Sequence, residues 1–285
     1  MGKLLKKNIN KTINFSSLLK TIIMLIIAMG SIFPFIFMLS STFKLSGNVL
    51  KLPFEIIPDP FTFNNIKSLF ESDYYNFGRW YFNTILMAGT SLFLKYFFVS
   101  YTAYGFAKIK FKGRDIIFLI LLAGLMIPRD IMILPRYMIF KQLNLLDSMW
   151  TLILPSLVDV YFVFLLRQSF VSIPESLSEA AKIDGCSHFK IYYKIILPLS
   201  KPIISTMMLF SFVWSWNDYM SPYLYISSVD KQMLSVGIKL FAEGKIQDYG
   251  AQMAAATLAL LPIILVFIFS QRYFIEGVSN SGVKG

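Results

Sequence analysis

The sequence contains very little cysteine, histidine and charge. Its 285 residues include one cysteine, Cys186, and one histidine, His188, so no intramolecular disulfide and no cysteine-based metal cage can form. Only 15% of the residues are charged, whereas 56% are hydrophobic. The surface of a soluble domain of this length would need far more charge. We therefore expect an integral membrane protein.

Phosphate-binding and catalytic motifs are also missing. No G-x-x-x-x-G-K-[ST] run occurs anywhere, so the chain has no loop of the kind that cradles the phosphates of ATP. Cys186 and His188 have no evident orienting acid, and positions on a helix surface explain both residues better than catalysis does. We expect no catalytic residue, no bound cofactor and no metal site in this chain.

Six apolar stretches are long enough to cross a bilayer, which takes about 20 residues. The third is interrupted near its end by Pro128, Arg129 and Asp130, and we expect an interfacial helix over RYMIFKQLNLL to follow it. The first could open a signal peptide, but it is longer than an ordinary signal and no small-x-small cleavage site follows, so we interpret it as a retained span. The predicted spans are residues 21–43, 81–107, 116–134, 149–170, 202–223 and 250–273.

Basic residues cluster on one side of these spans. Residues 1–20 contain five lysines and no acid, and the loop KIKFKGRD is also basic, whereas four basic and four acidic residues balance each other in 44–79. The positive-inside rule therefore places both termini and the segment 172–201 in the cytoplasm. Basic loops lying against anionic lipid headgroups explain the net charge of +11, so membrane lipid rather than nucleic acid is the expected partner.

The chain shows no obvious internal repeat and is predicted to form one domain. We expect a cytoplasmic N-terminal segment (1–20), a six-span transmembrane domain (21–273) and a cytoplasmic tail (274–285) whose end is flexible. The outer loop over 44–79 is rich in proline and aromatic residues, which predicts an ordered segment packed on the outer face.

The segment 172–201 has the features of two short helices joined at a glycine. Ser172 and Glu175 have the spacing of a capping box, and Gly185 can adopt the left-handed conformation that ends a helix. A second helix is predicted from Ser187, and Pro198 should break it before the next span. The apolar face of this helix would carry Phe189, Tyr192, Tyr193 and Ile196.

Two interpretations of this segment are open from its residues alone. It could form a knob that projects into the cytoplasm and contacts a partner, with the small Ala180 and Ala181 allowing close approach and Leu177 and Ile183 acting as apolar anchors. Alternatively, its helices could lie flat on the membrane, with aromatic side chains facing lipid and lysines facing water.

The segment resembles the EAA loop of the permease subunits of bacterial ABC importers. Seven positions match that loop with no departure in spacing: Glu179, Ala180, Ala181, Gly185, Ile195, Leu197 and Pro198. The resemblance extends over nearly the whole chain. The stretches NTILMAGTSLFLKYFFVSYTAYGFAKIKFKGRD, FVWSWNDYMSPYLY and QRYFIEGVSNSGVKG are similar to the carbohydrate-importer branch, and within it to the six-span maltose-type permease.

This resemblance implies a type I importer fold, all-α with six transmembrane helices and a cytoplasmic coupling helix. The helix would dock on a separate ATPase subunit through Glu179, Ala180, Ala181 and Gly185, with Leu177 and Ile183 beside them. The implied partners are a second homologous permease, two ATPases that hold ATP and Mg, and an extracellular sugar-binding protein. The implied function is import of a carbohydrate, specifically an oligosaccharide, across the bacterial cytoplasmic membrane by alternating access.

Charged and aromatic residues within the spans mark a candidate substrate path. Lys95 in the second span could face Asp159 of the fourth span or a polar cavity, or it could contact substrate. Arg167 lies at a cytoplasmic span end, where its side chain can reach water without a functional role. The outer end of the fifth span combines aromatic faces with groups that bond hydroxyls, although aromatics are also common at membrane interfaces. The candidate path residues are Trp214, Trp216, Asn217, Asp218, Tyr219 and Asp159.

The resemblance also bears on the outer side and on rival functions. In the maltose type, substrate contacts come chiefly from the other permease, and the loop over 227–250 lies where related permeases reach toward the binding protein.

An ion-coupled secondary transporter would usually show repeated halves and intramembrane acids. Six spans, no visible repeat and a single mid-span acid argue against it. A purely structural membrane protein would not need a capped segment with this spacing.

Overall fold

The computed structural model describes residues 15–53, 55–71, 76–243 and 248–282, and this part of the chain contains helices and no β-strand. A π-helical turn, Tyr192–Ile196, lies between the ninth and tenth helices. In chain order the α-helices within these ranges are α1 (Phe15–Thr42), α2 (Asn64–Glu71), α3 (Phe77–Lys108), α4 (Arg114–Ala123), α5 (Ile133–Gln142), α6 (Trp150–Leu157), α7 (Val160–Ser172), α8 (Glu175–Ile183), α9 (His188–Ile191), α10 (Leu197–Leu199), α11 (Lys201–Trp216), α12 (Met220–Tyr225), α13 (Leu234–Glu243) and α14 (Tyr249–Gly282).

Helix length and composition confirm the prediction of an all-helical membrane protein. Four helical segments are long and apolar enough to cross a bilayer, and two bent pairs pass the same test, so the described residues contain four spans, or six if each pair counts as one. The four are Ser16–Thr42, Phe77–Lys108, Trp150–Ser172 and Tyr249–Gln271. The pairs are Arg114–Met126 with Arg129–Gln142, bent by 93°, and His188–Leu199 with Lys201–Trp216, bent by 82°.

The break predicted in the third span is confirmed. Helix α4 ends at Ala123, and Ile127 is extended because the ring of Pro128 disfavours helix at the residue before it. The separate helix expected next is α5, which begins three residues earlier than the predicted RYMIFKQLNLL segment.

Two spans predicted as continuous are interrupted, and the sixth extends further than predicted. Val158 and Asp159 separate α6 from α7, and residues 217–219 separate α11 from α12. Helix α14 continues to Gly282, so residues 279–282 are helical and the expectation of a flexible tail is wrong for them. Residues 283–285, and residues 1–14 of the predicted N-terminal segment, lie outside the described residues.

Two large apolar clusters and a third, smaller one form the core of the described residues, and the two large clusters lie toward the two ends of α3. The first joins α3 to α7 and to the 172–201 segment around Tyr104, Phe170 and Tyr192. The second joins α2, α3, α11, α13 and α14 around Trp80 and Trp216. Helix α3 therefore connects the two large clusters.

The two long loops on the predicted outer side are folded into the second cluster. The expected ordering of the first loop is confirmed, because Asn65 and Leu69 of α2 are buried. In the second loop, a Cβ on Gly237 would lie 2.1 Å from the ring of Trp80, so glycine is required for α13 to lie against α3.

Candidate functional site

Helix α8 ends as its glycine predicts. Gly185 has a φ of +75°, which non-glycine residues rarely adopt. The amide of Gly185 donates to the carbonyl of Lys182 at 3.0 Å, and the amide of Cys186 donates to the carbonyl of Ala181 at 2.9 Å. These bonds satisfy carbonyl groups that the end of the helix would otherwise leave unpaired. The chain therefore turns sharply between α8 and α9.

The predicted capping box is wrong, whereas the predicted start of the second helix at Ser187 is confirmed. Ser172 lies in the last turn of α7, so its hydroxyl donates to the carbonyl of Ser169 at 2.7 Å, and α8 begins after Pro174 without a side-chain cap. At the start of α9, the hydroxyl of Ser187 accepts a hydrogen bond from the amide of Lys190 at 3.4 Å.

The aromatic face predicted for the second helix is divided. Tyr192 and Ile196 are buried, but Phe189 and Tyr193 are exposed, because the π-helical turn changes which side chains point inward. The predicted break falls at Ser200 rather than at Pro198, since the chain bends by 82° there.

The residues predicted to contact an ATPase divide between the two faces of α8. Ala181 is only 7% exposed and its side chain packs into the core. Its contact with an ATPase stays a prediction. Cys186 is half-buried against the same core, while His188 is exposed as predicted. The outer face of the segment presents Leu177, Glu179, Ala180, Ile183 and Gly185. Ile183 is 88% exposed.

A cavity of about 310 Å³ lies where the interrupted spans meet α3. Lys95 Nζ contacts Asp159 Oδ2 at 2.9 Å and Ser211 Oγ at 3.1 Å, and both charged side chains are less than 10% exposed. The pairing with Asp159, one of the alternatives open for Lys95, is therefore present, and Lys95 also lines the cavity. Asp159 also caps α7, because its carboxylate accepts from the amide of Phe162 at 3.4 Å.

A second cation reaches the same carboxylate from the broken third span. Arg129 Nη2 lies 3.4 Å from Asp159 Oδ2, and its guanidinium lies 5.1 Å from the centre of the Trp214 ring. Arg129 and Lys95 both line the cavity. The Arg129 side chain is 62% exposed, whereas the Lys95 side chain is buried. One carboxylate thus joins α3, α7 and the turn Arg129–Met132, with Ser211 of α11 completing the cluster.

The candidate path residues are only partly brought together. Asp159, Trp214 and Asp218 line the cavity, and the last two lie one helical turn apart. Three other candidates, Trp216, Asn217 and Tyr219, do not line this cavity. Trp216 is buried and its Nε1 donates to the carbonyl of Ala259 at 3.0 Å, the Asn217 amide donates to the carbonyl of Val213 at 2.9 Å, and Tyr219 stacks on Tyr223.

Sequence reasoning missed several cavity residues. The cavity forms because three spans break at the same level, and only the break at Pro128 has a clear signal in the sequence. Charges beside that proline could have indicated Arg129 and Asp130 as candidates. The missed lining residues include Met87, Ser91, Arg129, Asp130, Arg136, Ser211, Ser215 and Tyr225.

Comparison with known proteins gives consistent matches. Residues 97–280 match the family described as binding-protein-dependent transport system inner membrane component. The chain is 33% identical to the arabinooligosaccharides transport system permease protein AraQ of Bacillus subtilis, over 93% of this chain and 95% of that protein. It is 32% identical to the polygalacturonan/rhamnogalacturonan transport system permease protein YtcP of the same organism, over 92% and 96%.

A solved structure shows the same fold. One chain of a bacterial ABC transporter involved in the import of the acidic polysaccharide alginate superposes with a TM-score of 0.82, covering 93% of this chain and 98% of that chain at 22% identity. An identity this low supports the fold and carries no information about substrate.

Proposed function

Because this chain belongs to the family of binding-protein-dependent transport system inner membrane components, we propose that it passes a carbohydrate along the cavity at Asp159 and is driven by ATPase subunits docked on the segment 172–201. The chain is a permease subunit of an ABC importer, and the ATPase of such a transporter is a separate subunit. It is a multi-pass protein of the bacterial inner membrane.

The carbohydrate assignment is supported by the cavity and by the relatives. AraQ and YtcP are named for the transport of arabinooligosaccharides and of polygalacturonan or rhamnogalacturonan. In this chain, the indole of Trp214 offers a face on which a sugar ring can stack, and Asp218 and Ser215 offer groups that can bond hydroxyls. A cavity of about 310 Å³ suits a sugar unit or two of an oligosaccharide passing through it.

The docking assignment rests on the exposed face of α8, which is the observation that carries the proposal. Ile183 and Leu177 are 88% and 44% exposed on a short helix of otherwise polar and small side chains, and apolar side chains on such a helix can act as anchors in the groove of a partner. Glu179, Ala180 and Gly185 share this outer face. A short helix ended by a tight glycine turn provides a rigid knob, which favours docking on a protein over lying flat in the lipid.

The remaining partners and the topology follow from the family. We infer a complex with a second homologous permease, two ATPases carrying ATP and Mg, and an extracellular sugar-binding protein that the 227–250 segment helps to dock. Both termini and the 172–201 segment lie in the cytoplasm in this arrangement, with residues 21–273 as the transmembrane domain.

Affinity co-purification from the native membrane tests the proposal. We expect a second permease and an ATPase with a phosphate-binding loop to be recovered with this chain, and Ile183→Asp to reduce the recovered ATPase. Lys112→Asp, an exposed change outside the segment 172–201, is the matched control. Recovery of the chain alone would contradict the proposal and would favour the ion-coupled alternative.

A further inference from the structure

We propose that α3 transmits the movement of the coupling loop, residues 172–201, to the cavity through a stripe of three polar residues, Ser100, Tyr104 and Lys108. This inference rests on the docking function proposed above for the loop. It assigns to these three side chains a positioning role, since none of them lines the cavity.

Each residue of the stripe bonds a different part of the coupling loop. The hydroxyl of Ser100 hydrogen-bonds the hydroxyl of Tyr192 in the π-helical turn at 2.7 Å. The hydroxyl of Tyr104 hydrogen-bonds His188 Nδ1 in α9 at 3.2 Å. The loop is thereby bonded to α3 within both its π-helical turn and its second helix.

Lys108 makes the third bond, at the start of the loop. Its Nζ donates to the carbonyl of Ile173 at 2.7 Å, immediately before α8 begins. A hydrogen bond from a charged donor is stronger than one between neutral groups. This bond therefore ties the end of α3 to the point where the proposed docking helix starts.

The spacing of the three stripe residues places them on the same side of α3. Residues 100, 104 and 108 are four apart, so they lie along a single face of α3. Arg167 of α7 adds a further bond near the same end, because its Nε donates to the carbonyl of Phe106 at 3.2 Å. A displacement of the coupling loop would thus act on α3 at three levels over two helical turns.

Helix α3 is suited to carry that displacement. It runs for 32 residues without proline, whereas α1 and α14 contain proline and the spans around the cavity are interrupted. Lys95 lies 13 residues before Lys108, or about 20 Å along a helix. Its ammonium contacts Asp159 and Ser211, so movement of α3 changes the cluster that holds the broken spans together.

Thiol accessibility measures the transmission without knowledge of the sugar. Cys186 is the sole cysteine, so Cys186→Ser with Ser215→Cys leaves one thiol, at the cavity. The complete transporter, with its co-purified permease and ATPase, is treated with a charged methanethiosulfonate reagent. The treatment is done without nucleotide and after ATP plus vanadate has trapped the ATPase. We expect trapping to change the modification rate, and we expect that change to fall about five-fold in the Tyr104→Phe, Lys108→Met double variant.

Matched controls separate transmission from folding and docking. Tyr223→Phe and Lys110→Met alter exposed residues outside the stripe, the coupling loop and the cavity, and should keep the full response to ATP. Tyr104→Phe alone removes one oxygen atom and leaves the ring packed, so it provides a test even if Lys108→Met fails to fold.

The amount of ATPase recovered per permease distinguishes a loss of transmission through α3 from a loss of ATPase docking. Unchanged recovery with a lost response supports transmission through α3. A full response in the variants, or a loss of ATPase binding by them, would overturn it, the latter assigning the stripe to docking alone. Absence of any response without the stripe substitutions would instead contradict the proposed function.

Discussion

At the scale of single residues, Gly185 is a position where backbone conformation, and not side-chain packing, limits substitution. No atom lies within 4 Å of the position that a Cβ would occupy, so only the φ of +75° restricts this site. A β-branched residue is strained there, at roughly 1–2 kcal/mol or more, whereas asparagine tolerates this conformation. We expect Gly185→Val to uncouple ATP hydrolysis from uptake and Gly185→Asn to retain coupling, measured as ATP consumed per solute imported. Equal coupling in both variants would refute this explanation.

The Lys95–Asp159 pair is expected to stabilise the folded protein because each charge compensates the other. Removal of one member of a buried pair leaves the other charge uncompensated, at a cost of about 3–5 kcal/mol. Lys95→Met should therefore lower the thermal stability of the purified protein, because Arg129 contacts the carboxylate only at 3.4 Å. Lys95→Met with Asp159→Asn should recover most of the loss, since asparagine can still cap α7. A double variant no more stable than Lys95→Met would contradict this account.

Trp214 and Trp216 are two residues apart but should give opposite phenotypes. Trp216 is buried and hydrogen-bonded to Ala259, so Trp216→Ala should destabilise the protein by about 3–5 kcal/mol. Trp214 is 42% exposed and faces the cavity, so Trp214→Ala should slow uptake while the amount of folded protein is kept. Parallel measurement of uptake and of thermal unfolding checks both. Similar losses of stability in the two variants would remove the distinction.

At the scale of structural elements, Asp147 connects the turn after α5 to the start of the 227–250 segment. Its carboxylate accepts from the amides of Ser227 and Ser228 at 3.0 and 2.8 Å and from Lys231 Nζ at 2.8 Å. Partial burial alone would raise the pKa of this carboxyl, but these bonds and the Ser228 hydroxyl outweigh it and hold the pKa well below its usual range.

The sign of that shift determines the pH dependence. Because the pKa is lower in the folded state, the stabilisation is complete above the unfolded value of about 3.9 and is lost as pH falls through the folded value. We expect the amide protection factors of Ser227 and Ser228 to be the same at pH 8 and pH 5. Asp147→Asn should lower both, since asparagine accommodates the φ of +59° without the charge. Hydrogen exchange measures this, and unchanged protection in Asp147→Asn would be the contrary result.

The elements also show how far sequence reasoning reaches in this chain. Hydropathy located the spans, and the local signals at Pro128 and Gly185 predicted a break and a helix end, because each acts within a few residues. The interruption at Asp159 also has a local signal that the span prediction missed, because Asp159 caps α7 through the amide of Phe162. The cluster around Asp159 is different, since it depends on Lys95, which is 64 residues away in sequence. The cavity and the stripe on α3 likewise arise from contacts between distant segments. Sequence alone therefore indicated Asp159 but could not assemble its surroundings.

At the scale of the whole molecule, the charged residues of the interior indicate what drives transport. An ion-coupled carrier needs an intramembrane acid that is free to gain and lose its ion. Asp159 is the single mid-span acid of the sequence, and Lys95 and Arg129 both contact it in the described structure. A carboxylate that contacts two cations has its charge compensated by protein side chains rather than by a transported ion.

Transport should therefore depend on ATP and not on ion gradients. In proteoliposomes holding the complete transporter, we expect uptake of the sugar bound by the co-purified binding protein to require ATP on the ATPase side. Uptake should continue when ionophores collapse the proton and sodium gradients, because no step of the proposed cycle moves those ions. Lys95→Met with Asp159→Asn provides the internal check, since removing both charges should leave the dependence on ATP in place. Uptake that persists without ATP and stops with ionophores would exclude the ATP-driven mechanism and assign the buried pair to ion coupling.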